Sequence, residues 1–292
     1  MKITETCVPC LIKRIIFEAN LSTADEEKKK RTIKEALRVL AIEFDPSKAS
    51  SSVATRVHKR AYEILEDIDP YESLKHESNR IAQSLINKAE DLIKKSNDPL
   101  KMSMICSIAG NSMDYGIEGG SSTPRSLAHS FESIVQDGLG YDDMNQLEKL
   151  LSKSTNIILF TDNCGEIVFD KLLCRELRYA YPKIHITVVV KGEPILSDAT
   201  IQDAEDLDFG SVVDEIFTTG CFAVGVDFSQ LPPLVSQRLD DADLIICKGM
   251  ANFEAFSETS YRPIAYLLRS KCEPIASAMH VPQHKNIIKV YS

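Results

Sequence analysis

The sequence has no apolar stretch long enough to cross a membrane. Its 292 residues contain no run that approaches the roughly 18 uninterrupted apolar residues of a spanning helix. The first residues, 1–7, also lack the apolar core of a secretory signal. From these two absences we expect a cytoplasmic protein without a membrane partner.

Basic residues are not in excess. The chain has 34 Lys and Arg residues against 43 Asp and Glu residues, which gives a formal net charge of -9. Proteins that bind nucleic acids or anionic membranes present a basic surface. The densest basic cluster, residues 28–31, directly follows three acidic residues, as is typical of a solvated helix face. We therefore expect no nucleic-acid partner.

Several common catalytic and metal-binding motifs are also absent. No nucleophile elbow, P-loop or Gly-rich dinucleotide turn follows a predicted strand. Among the histidines only His280 and His284 are close, and Pro282 between them argues against a shared helix face. The eight cysteines are scattered, and only Cys7 and Cys10 have ligand or redox spacing. Because no second such pair follows, their role stays open between a structural turn and a metal or redox function.

What the sequence does contain is 43% hydrophobic residues, enough to bury a full core. In residues 1–150 apolar residues recur at intervals of three and four, as at Ile33, Leu37 and Leu40, which predicts amphipathic helices. These helices are predicted at 11–19, 25–42, 50–66, 74–95, 100–109, 126–137 and 144–152. We expect an all-helical bundle domain over residues 1–150.

Residues 151–292 alternate short apolar runs with helical segments. Strands are predicted at 156–160, 184–190, 213–218, 244–247, 261–268 and 287–291. Helices are predicted between the first strand and residue 179, around 197–204 and just before residue 241. This alternation predicts a mostly parallel sheet covered on both faces. The expected fold class is therefore α/β, a Rossmann-like three-layer sheet domain preceded by the helical domain.

Polar side chains follow three of these predicted strands. They are Asp162, Asn163 and Glu166 after the first, Asp198 after the second, and Lys248, Asn252 and Glu254 after the strand at 244–247. Because the carboxyl ends of parallel strands meet at one edge of a sheet, we expect these side chains to converge. Carboxylate and amide oxygens suit Mg²⁺ or Mn²⁺, and a Lys supplies charge to a phosphate. The alternative is that Asp or Asn in such a turn only caps a helix.

Three runs of the sequence together resemble the damage-control phosphatase family, formerly domain-of-unknown-function family 89. They read TDNCGEIVFD at 161–170, VKGEPILSDA at 190–199 and IICKGMANFE at 245–254. Cys7-Val8-Pro9-Cys10 is similar to the short microbial branch. The segments 109–114 and 267–276 extend the likeness over nearly the whole chain. In one departure, Cys164 stands where the family more usually has Ala.

The resemblance implies a metal-dependent phosphatase that hydrolyses small phosphorylated metabolites, such as sugar phosphates or damaged phosphometabolites, in metabolite repair. It implies that Asp162, Asn163 and Asp198 bind a divalent ion, Mn²⁺, Mg²⁺, Co²⁺ or Ni²⁺, with Lys248 near the phosphate. We expect a catalytic carboxylate, Asp162 or Glu254, that either attacks or orients water. The predicted substrate-binding residues are Asn111 and Asp114 on a loop that closes the pocket, Glu166, Lys248 and Asn252.

Two other functions stay open. The sheet topology would also suit an S-adenosylmethionine-dependent carboxyl methyltransferase, although the first strand end lacks the Gly-rich turn that such a cofactor prefers. A non-catalytic module that binds a metal or metabolite could use the same residues. The physiological substrate, the metal and the oligomeric state are not predicted by the sequence.

Overall fold

The structure is a computed structural model that describes residues 1–111 and 124–292, with the backbone alone over 124–129. Asp114 and most of the predicted pocket loop lie outside these residues. Helices fill most of the described chain before residue 152. They are α1 (Cys7–Ser22), α2 (Glu26–Glu43), α3 (Ser50–Leu65), α4 (Glu72–Ser84), α5 (Ile86–Lys95), α6 (Pro99–Gly110), α7 (Pro124–Gln136) and α8 (Met144–Leu151).

The predicted single helix over 74–95 is wrong, because the structure has two helices there, α4 and α5. The break falls at Leu85, whose backbone N–H donates to Ala82 O, three residues back, at 2.9 Å. This tightened turn ends α4, α5 begins at the next residue, and Leu85 stays buried. The apolar spacing continues through the break, so the pattern alone did not reveal it.

One mixed sheet forms the second part of the fold. Its strands are β1 (Leu139–Asp142), β2 (Asn156–Phe160), β3 (His185–Val190), β4 (Glu215–Thr218), β5 (Leu244–Lys248), β6 (Ile264–Arg269) and β7 (Asn286–Tyr291). Their order is β1-β7-β6-β5-β2-β3-β4, and all neighbours are parallel except β6 and β7. The predicted α/β fold class with a mostly parallel sheet is confirmed.

The strand β1 was missed because it is short and contains Gly140, which looked like part of a helix breaker. This strand precedes residue 150 and still pairs with β7 in the sheet. The division of the chain into two domains at residue 150 stays a prediction. Helices also cover the strands: α9 (Glu166–Ala180), α10 (Ile201–Asp206), α11 (Pro233–Asp240), α12 (Gly249–Phe256) and α13 (Glu273–Met279). In the described ranges, no helix combines the length and the apolar character needed for a membrane span.

The central strand β2 marks the point at which the strand order of the sheet reverses. This strand lies between β5 and β3, so the chain runs outwards to β3 and β4 and later returns to the other side of β2. Such a reversal of strand order leaves a crevice at the carboxyl ends, where open α/β sheets bind ligands. The turns that carry the predicted site residues after β2, β3 and β5 all leave from this edge.

The helical part packs against α9 through α6 and through Phe131 of α7. The rings of Phe131 and Phe169 stack with centroids 4.8 Å apart, and Phe169 is fully buried. Gly110 allows α6 to approach closely, because an added Cβ there would lie 2.8 Å from the Phe169 ring and 3.0 Å from Glu166 Cα. This close packing brings Asn111, the next residue, to the start of α9.

Replacement of Phe169 by Ala tests this interface. We expect Phe169→Ala to lower the free energy of unfolding by about 3 to 5 kcal/mol, because a large buried ring leaves a cavity. The matched control is Tyr179→Ala on the same helix, whose side chain is 86% exposed; it should change stability by less than about 0.5 kcal/mol. Denaturant unfolding measures both, and equal small effects would contradict the interface.

Candidate active site

The turns after β2 and β3 are held together by backbone hydrogen bonds. Asn163 and Asp198 pair as an isolated antiparallel bridge. Cys164 N donates to Ser197 O at 2.7 Å, and Ala199 N donates to Asp162 O at 2.8 Å. These bonds bring Asp162, Asn163 and Asp198 to one place, as the strand pattern predicted for their positions.

The side chains of the β2 turn are fixed by short hydrogen bonds. Asn163 Nδ2 donates to Asp162 Oδ2 at 2.7 Å, and Ser197 Oγ donates to Asn163 Oδ1 at 2.6 Å. From the end of α6, Asn111 Nδ2 donates to the same oxygen of Asp162 at 2.8 Å. All four residues are buried. The carboxylate of Asp162 is therefore oriented from two sides.

Asp198 has a cationic neighbour that the sequence reasoning did not single out. Lys191 Nζ lies 3.3 Å from Asp198 Oδ2 and also donates to Gly225 O. Lys191 is buried, so this ion pair is largely shielded from solvent. The signal was present, since Lys191 belongs to the 190–199 run, but a Lys beside a Gly is weak evidence alone.

Lys248 forms a buried charge cluster with α9. It contacts Glu166 Oε1 and lies 3.2 Å from Asp170 Oδ1, which also accepts a hydrogen bond from Ser107 Oγ at 2.6 Å. Burial lowers the pKa of Lys248, but Asp170 and Glu166 outweigh it, so the net pKa lies above its ordinary value. Burial raises the pKa of Asp170 to about 6, although Lys248 opposes it. The ammonium group thus stays charged between two carboxyl groups.

Three of the predicted substrate-binding residues are buried and hydrogen-bonded to other groups of the protein. Glu166 Oε2 accepts from Asn111 Nδ2 at 2.5 Å, which links the Lys248 cluster to Asp162. Asn252 Nδ2 donates to Thr161 O at 2.9 Å and to Lys248 O at 2.8 Å. Neither Glu166, Lys248 nor Asn252 lines the pocket described next. Their contact with a substrate stays a prediction.

A pocket of about 410 Å³ lies over the two turns. Asp162, Asn163 and Asp198 line it, and all three predicted ion ligands therefore face a space that a small molecule can enter. Other residues on its wall include Arg14, His58, Leu196, Met250, Glu254 and Lys271. Arg14 and His58 come from helices, and both lie outside the runs that carry the family likeness.

Glu254 and Lys271 supply opposite charges to this pocket. Glu254 lies on α12, and its Oε2 accepts a hydrogen bond from Ser50 Oγ of α3 at 2.7 Å. Lys271, just before α13, is only 3% exposed yet lines the pocket. Lys271 is not among the residues predicted from the sequence, although it lies in the 267–276 segment that carries part of the family likeness.

The cysteines of interest differ in their surroundings. Cys164 is fully buried, and burial raises the pKa of its thiol well above the usual value, so it stays protonated. Cys7 and Cys10 lie in the first turn of α1 and line the pocket, with Cys10 exposed. Their role remains open between a structural turn and a metal or redox function.

The donor set at the two turns fits a hard divalent cation. Two carboxylates and an amide offer oxygen ligands, which Mg²⁺ and Mn²⁺ prefer. Nearby, the side-chain oxygens of Asn111 and Asn252 are buried without a hydrogen-bond partner among the described residues. Over residues 1–111 and 124–292, the structure has no cluster of three His, Cys, Asp or Glu side chains that could hold a metal ion. An Asp-Asn-Asp set has only two such members and relies on the amide.

Comparison with known proteins gives consistent likenesses over the full chain. A model of the damage-control phosphatase ARMT1-like domain matches residues 3–287. A damage-control phosphatase of Archaeoglobus fulgidus is 39% identical over 290 residues, which cover 99% of each chain. A damage-control phosphatase of Pyrococcus horikoshii is 27% identical over 97% of this chain and 96% of its own. The crystal structure of a DUF89 family protein from Pyrococcus horikoshii superposes with a TM-score of 0.88 at 26% identity, covering 99% of each chain.

Gly249 is the residue against which the Asp162 carboxylate packs. Its φ is +72°, and an added Cβ would overlap the Asp162 carboxyl group. We expect Gly249→Ala to destabilise the fold by about 1 to 3 kcal/mol through backbone strain. The control Gly210→Ala, with open space around the added Cβ, should leave stability unchanged. Thermal unfolding measures both variants; equal stability of the two would contradict the packing.

Proposed function

The chain belongs to the damage-control phosphatase ARMT1-like domain family, and from that premise we propose that it is a divalent-metal-dependent phosphatase of small phosphorylated metabolites. The family membership confirms the predicted resemblance and the prediction of a phosphatase. Metal dependence, the identity of the metal and the roles of individual residues are proposals. In them, Asp162, Asn163 and Asp198 hold the ion.

The observation that carries this proposal is the meeting of these three side chains on the wall of one pocket. Asn163 pairs with Asp198 through the backbone and with Asp162 through its amide. Both carboxylates are buried, where a nearby positive charge favours the ionised form; Lys191 supplies one such charge to Asp198, and a divalent ion would add another. Asp162, Asn163 and Asp198 would hold the divalent ion, which would supply positive charge to the substrate phosphate.

The chain's own residues have distinct parts in the proposal. Asn111 and Gly249 hold the Asp162 carboxylate in place, one by a hydrogen bond and one by close contact. Lys271 supplies positive charge to the substrate phosphate from the pocket wall. Glu254, which Ser50 orients, positions the attacking water. Lys248 stabilises the buried base of the site through Glu166 and Asp170, and its position near the phosphate stays a prediction.

The size of the pocket supports a small substrate. About 410 Å³ lies at the low end of the volume range of small-molecule sites. The net charge of -9 gives no general attraction for a polyanion. Sugar phosphates and damaged phosphometabolites are therefore the substrates that we propose. Mn²⁺, Mg²⁺, Co²⁺ and Ni²⁺ are the candidate ions.

Removal of one ligand tests the metal site. The protein is freed of metal with a chelator, and phosphate release from p-nitrophenyl phosphate and sugar phosphates is measured with each of the four ions. We expect activity to return on metal addition, and Asp162→Asn to lower kcat/KM by at least about 100-fold. The control Asp243→Asn lies at the opposite edge of the sheet, where Asp243 accepts from Thr155 N at 2.7 Å, and should keep full activity.

Three outcomes would contradict this proposal or select an alternative. Full activity in the presence of chelator would contradict the proposed dependence on a divalent metal ion. Unchanged metal-dependent activity in Asp162→Asn would remove the ligand assignment. Saturable binding of S-adenosylmethionine without phosphate release would favour the methyltransferase, and metabolite binding without turnover would favour a binding module.

Substitution of Lys271 tests the phosphate contact. A charged hydrogen bond to phosphate contributes about 1.5 to 3 kcal/mol, so Lys271→Met should lower kcat/KM for phosphate esters by about 10- to 100-fold. The comparison is Lys153→Met on the exposed surface at the end of α8, which should behave as the wild type. Inhibition by inorganic phosphate should weaken in parallel in Lys271→Met. Unchanged kinetics and unchanged phosphate inhibition would place the phosphate elsewhere.

A further inference from the structure

A buried histidine and carboxylate lie beside the site described above. His58 on α3 is only 1% exposed, and its Nδ1 lies 2.8 Å from Oε1 of Glu18 on α1. Glu18 is fully buried and also accepts a hydrogen bond from Tyr71 Oη at 3.4 Å. Removing a carboxylate from water is costly unless it is paired and hydrogen-bonded, and here His58 is the nearest ionisable partner. The pair is the one buried His–carboxylate contact found in the described part of the chain.

His58 lies on the face of α3 that lines the pocket. Ser50, Ala54 and His58 line the pocket at intervals of four residues, so they share one face of the helix. At one end of this face Ser50 binds Glu254. One turn beyond His58, Tyr62 Oη accepts from Leu196 N at 3.1 Å, two residues before Asp198. His58 therefore lies between the two ends of α3 that contact Glu254 and the Asp198 turn.

The contact with Glu18 determines which nitrogen of the ring is available. A carboxylate at Nδ1 keeps the proton on that nitrogen, which leaves Nε2 to exchange a proton with a molecule in the pocket. An imidazole held in this way is suited to general acid catalysis. The proposed site needs such a group, because an alkoxide leaves phosphorus poorly without a proton, and Asp162, Asp198 and Lys271 already have other roles.

We propose that His58 is the general acid that protonates the leaving oxygen of the substrate, and that Glu18 is its positioning residue. The inference rests on the proposed phosphatase function. For this step His58 is protonated on both ring nitrogens, with Nδ1–H held by Glu18. The bond between phosphorus and the ester oxygen breaks, its electron pair stays on that oxygen, and the oxygen takes the Nε2 proton, which leaves His58 neutral with its proton on Nδ1. A water oxygen forms the new bond to phosphorus. The proton that this water releases restores His58, so that an ester and water give an alcohol and phosphate.

The test compares two leaving groups in His58→Gln. Loss of a general acid lowers rates by about 10²- to 10⁴-fold, and we expect a loss of this size in kcat for glycerol phosphate, an alkyl ester. With p-nitrophenyl phosphate, whose phenolate leaves without a proton, the loss should be less than about 10-fold. Glu18→Gln should show the same dependence on leaving group with a smaller loss. His185→Gln, which removes a half-exposed His paired with Glu215 at the start of β3, should match the wild type on both esters.

Each result separates a catalytic from a structural role. Equal losses on both esters, or no loss on either, would overturn the assignment. A series of aryl and alkyl phosphates on the wild type gives a second measurement that does not require a folded variant. A rate nearly independent of leaving-group pKa supports the general acid, and a steep dependence overturns it. Absence of phosphate release from any ester with any of the four ions would instead defeat the proposed function itself.

Discussion

The site depends on the backbone pairing between the turn after β2 and the turn after β3. Two hydrogen bonds, Cys164 N to Ser197 O and Ala199 N to Asp162 O, hold turns that are more than thirty residues apart in sequence. This pairing places Asp198 beside Asn163. The carboxylates are thus brought to one pocket by the fold of the chain, and Lys191 pairs with Asp198 there. A divalent cation at this edge would add a second positive charge beside them.

Below these turns, a layer of buried charge holds the first turn of α9 in position. Glu166 and Asp170 lie four residues apart on α9, hence on one face, and both contact Lys248 at the end of β5. Asn111 connects Glu166 to Asp162. A buried ion cluster of this kind adds little net stability compared with an apolar core. Its role here is to fix geometry. The cluster links β5, α6 and α9, and through Asn111 it orients the Asp162 carboxylate.

Much of this arrangement could be predicted from the sequence. The alternation of apolar runs and helices predicted the parallel sheet, and the polar residues at the strand ends predicted where Asp162, Asn163 and Asp198 meet. The burial of Lys248 was not predicted, because a Lys after a strand is usually taken to be exposed. Its signal was the spacing of Glu166 and Asp170, which places two acidic groups on the same face of α9.

Residues contributed by the helical part were harder to find, for a physical reason. His58 and Arg14 lie on helices whose sequences show ordinary amphipathic patterns, and only tertiary packing turns them towards the pocket. The strand β1 was missed since four residues with a Gly give almost no periodicity. Lys271 follows β6 in a turn without metal or phosphate motif. Contacts across the fold, which local patterns do not encode, decide all of these positions.

The most direct test of the account is a crystal structure of the protein with Mn²⁺, with anomalous scattering used to locate the ion. We predict one anomalous peak in the pocket, in contact with carboxylate oxygens of Asp162 and Asp198 and the side-chain oxygen of Asn163. A fully occupied ion bound by other residues, with these three oxygens bound only to the protein, would contradict the central claim.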